Sequence, residues 1–77
     1  MRSGQFQNVR FRDAQALAEA LGYRLRSTRG SHHTYRHPKA QDLLNLQPTR
    51  GRQAKPYQLR QLLEDVGRYD LSLEARP

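Results

Sequence analysis

The feature that most limits what this chain can fold into is a hydrophobic period that changes twice within 77 residues. Ala14, Leu17, Ala18 and Leu21 recur at i, i+3, i+4 and i+7, the apolar stripe of an amphipathic helix. From Tyr23 the period falls to two, with Tyr23 and Leu25 alternating with Arg24 and Arg26, as in a half-buried strand. Leu59, Leu62, Leu63 and Val66 then restore the helical stripe. Punctuation between these segments supplies the boundaries. Asp13 is the expected N-cap of the first helix, Phe11 a staple beneath its first turn, and Gly22 the C-cap residue with positive φ. Thr28 to Ser31 form the expected turn, and a second strand runs from His32 to His37, ended by Pro38. A polar loop over Lys39 to Asp42 leads to a third strand over Leu43 to Leu46, and a basic loop over Thr49 to Lys55 follows. Pro56 suits the first turn of the second helix, Glu64 and Arg68 form an i, i+4 pair, and Gly67 does not end the stripe.

The order helix, three strands, helix is an α+β fold. Hairpin-length connections make the three-stranded sheet antiparallel, and two amphipathic helices can cover only one of its faces. The other face is left to solvent or ligand. A single domain is expected over residues 1–77, with a flexible start over 1–8 and a tail over 70–77 whose Leu71 and Leu73 pack back on the body or onto a partner. A domain this small releases few residues from its core, which argues against a bound organic cofactor, and none is expected. The lack of Cys removes disulfides, thiolate metal sites and thiol nucleophiles together. No apolar stretch approaches the ~18 residues of a membrane span, and the Arg-bearing start lacks the apolar run of a signal peptide. The expected compartment is the cytoplasm, with no membrane partner.

Charge gives the first positive indication. Fourteen Lys+Arg against 7 Asp+Glu leave a net +7, and 12 of the 14 cations are Arg. Such a field draws polyanions, and Arg binds phosphate bidentately where Lys offers a point charge. Nucleic acid is the expected partner, with a plain solvated basic surface as the alternative.

All three histidines fall in one strand. If Tyr35 points into the core, His33 and His37 share its face, and His32, Thr34 and Arg36 point to the open one. Three roles compete for these rings. They could be ordinary polar strand residues. They could hold a metal, but His33 and His37 lie roughly 13 Å apart along a strand and His32 faces away, so no metal is expected. Or His32 could act as general acid–base on an RNA phosphodiester, where the 2′-hydroxyl is the nucleophile and the protein need only move protons and stabilise charge. Arg29, Arg36 and Lys55 are the cations expected nearest His32.

Residues 13–69 resemble the HicA family of bacterial toxins, the small ribonucleases of toxin–antitoxin modules. The resemblance is carried by Leu21-Gly22-Tyr23-Arg24-Leu25, by Arg29-Gly30-Ser31-His32-His33-Thr34-Tyr35-Arg36-His37-Pro38, and by Tyr57-Gln58-Leu59-Arg60-Gln61-Leu62-Leu63. The Gly-Ser-His-His block is its specific part. The resemblance implies a fold similar to a double-stranded-RNA-binding domain, a catalytic role for His32, and a structural turn at Gly30 and Ser31. Many members carry a further His after the third strand. Here Gln47-Pro48-Thr49-Arg50 has none, and Arg50 and Arg52 are the cations that would contact RNA in its place.

The expected function is therefore a toxin that cleaves mRNA without a metal. Its implied protein partner is an antitoxin of the HicB type, with an acidic surface that covers His32 in a toxin–antitoxin hetero-oligomer. A non-catalytic RNA-binding module of the same fold is the alternative. Because the 2′-hydroxyl attacks its own phosphate, the expected product is a cyclic phosphate.

Overall fold

The computed structural model describes residues 7–73. Helix α1 (Phe11–Ala20) leads into strands β1 (Arg24–Arg29), β2 (His32–Arg36) and β3 (Leu44–Leu46), and helix α2 (Pro56–Tyr69) follows. The strands form one antiparallel sheet in the order β1-β2-β3, so the architecture is the α+β arrangement expected from the periods.

The first helix ends as its glycine dictates. Gly22 has φ 101°, the Gly22 N–H donates to the Glu19 carbonyl, and the Tyr23 N–H donates to the Ala18 carbonyl. These are the two bonds of a Schellman closure, which satisfies carbonyls the helix leaves orphaned. The start differs from expectation. Arg10 occupies the N-cap position with extended backbone and no side-chain cap, and its carbonyl accepts from the Asp13 and Ala14 N–H groups. Asp13 therefore sits inside the first turn, where its charge still favours the positive end of the helix. Phe11 opens the helix as a buried residue rather than as a staple preceding it.

The core departs from the stripes at three points. Ala14, Ala18 and Leu21 are buried as expected, but Leu17 is surface-lying and Phe11 takes its place. On α2, Leu59 and Leu62 are buried while Leu63 is exposed, and Gln58 and Asp65 go inside instead. Both polar residues are satisfied: Gln58 Oε1 accepts the Gln47 N–H at 2.9 Å, and Asp65 accepts from Gln61 Nε2 at 3.0 Å and Tyr23 O–H at 3.4 Å. Leu25, expected half-buried, is 50% exposed, because it lies on the edge strand beyond the reach of the helices. The main cluster joins Phe11, Leu21, Tyr23, Tyr35, Leu44, Leu46, Leu62 and Leu71. Each large side chain fully buried here contributes about 1.5–3 kcal/mol.

Leu71 thus packs back on the body, whereas Leu73 is exposed. Gly67 stays within α2, which closes at Asp70 in the left-handed region. Arg68 does not pair with Glu64; its ion pair is with Asp42 at 3.7 Å. Part of the expected flexible start, residues 1–6, and the last four residues of the tail lie outside the described residues.

Candidate functional site

The site grows out of the β1–β2 hairpin. Arg29 and His32 are directly opposed, so the turn is only Gly30-Ser31 and β1 runs three residues further than the sequence pattern indicated. Gly30 has φ 56° while Ser31 does not, the signature of a two-residue turn whose first central position is left-handed. A Cβ at Gly30 would meet nothing within 4 Å, so glycine is required by conformation rather than by space.

A bulge then decides which side chains meet. Arg24 and Leu25 face Arg36 and Tyr35, but beyond them Ser27, Thr28 and Arg29 face Thr34, His33 and His32. Arg26 is the extra residue, and it re-phases the strand. By simple alternation Arg29 would share the face of Leu25. The bulge turns it onto the face of His32 instead.

On the open face, Arg26, Ser27, Arg29, His32 and Thr34 surround a shallow depression of about 500 Å³. Thr34 Oγ1–H donates across to Asn45 Oδ1 at 3.2 Å, so β3 continues the same polar surface. His32 is exposed, and among the described residues its ring has no hydrogen-bond partner. Arg36 shares this face further along the strand. Lys55 does not join it, since it caps α2 on the covered side of the sheet.

The covered side of the turn carries a larger feature. A cleft of about 780 Å³ opens between the start of α1, the hairpin turn and the β3–α2 loop. Its lining includes Arg10, Arg12, Arg50 and Arg52 together with His33. Arg50 and Arg52, expected at the RNA surface, therefore belong to this cleft and not to the depression around His32. The loop that carries them is tied to the helix start. The Phe11 N–H donates to the Arg52 carbonyl at 3.0 Å, the Ala54 N–H to Val9 at 2.7 Å, and the Arg52 N–H to Thr49 at 3.0 Å. These bonds hold Arg52 at φ 60°, a left-handed conformation that costs a non-glycine residue about 1 kcal/mol or more.

The other two histidines are fixed. His33 is half-buried, its Nδ1–H donates to the Ser31 carbonyl at 2.9 Å, and its ring lies 5.0 Å from that of Phe11. His37 is buried and used at both nitrogens. Its Nδ1 accepts the Lys39 N–H at 3.0 Å, so Nε2 carries the hydrogen and donates to the Leu21 carbonyl at 2.9 Å. That ring is a clamp between the end of α1 and the end of β2. Among the described residues no three His, Asp or Glu side chains converge as metal ligands would. None of the described helices is long and apolar enough to cross a membrane. Arg10 and Arg12 are the site residues that sequence pattern left unassigned; the signal was two arginines flanking Phe11, at the start of a helix.

A family model described as "HicA toxin of bacterial toxin-antitoxin" matches residues 11–67, well over half of the chain. Among the curated proteins and among the solved structures nothing matches.

Proposed function

The chain belongs to the HicA toxin family, and on that premise we propose that it is a metal-independent RNA endonuclease that cleaves mRNA through His32. The observation that carries this reading is Arg29 directly opposite His32, on the uncovered face of a basic sheet, beside a two-residue turn. His32 takes the proton of a ribose 2′-hydroxyl as that oxygen attacks the adjacent phosphorus. The bond to the 5′-oxygen breaks, that oxygen takes a proton from solvent water, and a 2′,3′-cyclic phosphate remains. Arg29 stabilises the charge that builds on the phosphorane, and Arg36 contacts the backbone further along. Gly30 and Ser31 fix the turn that sets His32 at the strand start.

The partner follows from the family: a toxin of such a module is held by an antitoxin. We take the antitoxin to be of the HicB type, covering His32 with an acidic surface that complements the net +7, with the pair residing in the cytoplasm. One observation favours the alternative of a non-catalytic RNA-binding module. Among the described residues nothing holds the His32 ring, whereas general acid–base histidines are commonly oriented by a second group.

The deciding experiment is cleavage of a labelled single-stranded RNA in excess EDTA by the wild type and by His32→Ala. The expected result is cleavage by the wild type and a loss of about 10²–10⁴-fold in the variant, with RNA affinity retained. No cleavage by either, with tight binding by both, would leave the binding module.

A further inference from the structure

We propose that the cleft on the covered side of the hairpin is a second RNA subsite, one that grips the single strand flanking the linkage at His32. This rests on the ribonuclease reading above and extends it to residues that reading does not use. Four guanidinium groups, Arg10, Arg12, Arg50 and Arg52, come from segments forty residues apart and line one concave surface. Among the described residues none of them has an ion pair or side-chain hydrogen bond, and no carboxylate lines the cleft. Gathering like charges opposes folding, so the fold gains nothing from this arrangement by itself. The gathering is also rigid: backbone bonds from Phe11 to Arg52 and from Ala54 to Val9 fasten the loop to the helix. A preformed, unneutralised set of guanidinium forks matches oxyanions that offer two oxygens side by side, and four such forks on one surface match a chain that repeats them, as a phosphodiester backbone does.

His33 narrows the ligand further. Its Nδ1–H is committed to the Ser31 carbonyl, so in the neutral ring Nε2 is an acceptor. A backbone phosphate diester has no hydrogen to give to that nitrogen. A ribose 2′-hydroxyl does, and it is the group that separates RNA from DNA. The ligand that supplies anionic oxygens to the arginines and a hydroxyl to His33 is a ribonucleotide strand. A cleft of about 780 Å³ between a loop and a helix end has room for a single strand. Gly30 and Ser31 line this cleft, and the Arg29–His32 pair flanking them lines the depression on the other side. One strand crossing the turn therefore touches both.

The test uses the full chain carrying His32→Ala, which should bind RNA without cutting it. Fluorescence anisotropy with a labelled single-stranded RNA, and with DNA of the same sequence, is followed from 50 to 200 mM salt. Adding Arg12→Gln and Arg50→Gln should weaken RNA binding and lower the magnitude of the salt slope by about 1.4, since each single-strand phosphate contact contributes about 0.7. Adding His33→Phe instead should shrink the preference for RNA over DNA several-fold while the slope stays put. Circular dichroism melts confirm that each variant is folded, and loss of exposed like charges should not lower them. An unchanged slope and affinity in the arginine variant, with Arg29→Gln and Arg36→Gln carrying the whole effect, overturns the cleft and leaves the ribonuclease reading intact. Failure of the parent protein to bind RNA at all overturns both. If polyaspartate displaces the RNA at equal charge concentration, the cleft responds to charge alone and the proposed RNA subsite is wrong.

Discussion

Three consecutive residues of β3 divide the molecule. Leu44 and Leu46 are each 1% exposed beneath the helices, while Asn45 between them lies exposed on the other face and accepts a hydrogen bond from Thr34. The same division runs through His32 and His33. His32 faces open solvent with no partner among the described residues, and His33 is held by a backbone carbonyl and an aromatic ring in a cleft rimmed by arginine. What separates the neighbours is the pleat alone, since successive side chains of a strand point to opposite faces. The covered side holds its groups by packing, and the open side leaves them free to meet a ligand or a partner. A small fold with only two helices must leave one side unbuilt, and this one carries much of its charge there and at the rim.

The sharpest way to break this division is to cut equally on both sides of β3. Leu46→Ala should cost about 2–5 kcal/mol through lost burial and the cavity left behind, whereas Asn45→Ala should cost less than about 1 kcal/mol. Urea denaturation of the two variants measures both, and similar losses would mean the open face is packed against something. Gly30→Ala sits on the boundary. It should destabilise by about 1–2 kcal/mol because alanine strains at left-handed φ, and it should disturb both histidines in NMR spectra; a shift confined to one side would place the hinge elsewhere.

The covered side also carries a pH signature. Burial first, and the Asp65 carboxylate second, push the Tyr23 hydroxyl well above its ordinary 10.0. Below about pH 10 the folded and unfolded chains both keep that proton, so the contribution is fully present. Above it the unfolded chain ionises first, and stability falls as pH rises until the folded group ionises too. Tyr23→Phe should flatten this alkaline loss in denaturation curves taken from pH 9 to 12. The smallest effect belongs to the exposed surface pair of Arg68 and Asp42, where Asp42→Asn should leave the urea midpoint essentially unchanged.

The element order was legible in the sequence because period and punctuation are local. Gly22 marks its own helix end, and Tyr35 sorts the histidines between the two faces by alternation alone. What was not legible depends on distant partners. Asp65 reads as a surface carboxylate until Tyr23 and Gln61 arrive to satisfy it. Leu17 and Leu63 fit their stripes perfectly, but a three-stranded sheet is too narrow to cover the full width of either helix. Lys55 looks close to His32 in a basic loop, and only the handedness of the layers separates them. The gathering of Arg10 and Arg12 with Arg50 and Arg52 needs backbone bonds between segments some forty residues apart, which no local pattern encodes.

The extra residue in β1 has a consequence for how such a surface changes over time. Arg26 acts in space as a frameshift acts in a coding strand: everything after it is expressed on the other side. Deleting Arg26 would be the compensating shift: Leu25, Ser27, Thr28 and Arg29 would alternate in step with Tyr35, Thr34, His33 and His32, and every partner would be kept. A slip that drew Arg26 into the ladder would do the opposite, setting Thr28 against His32 and carrying Arg29 past the strand end. The charge pattern of this hairpin is thus held by register, and a slip of one residue is worth three substitutions.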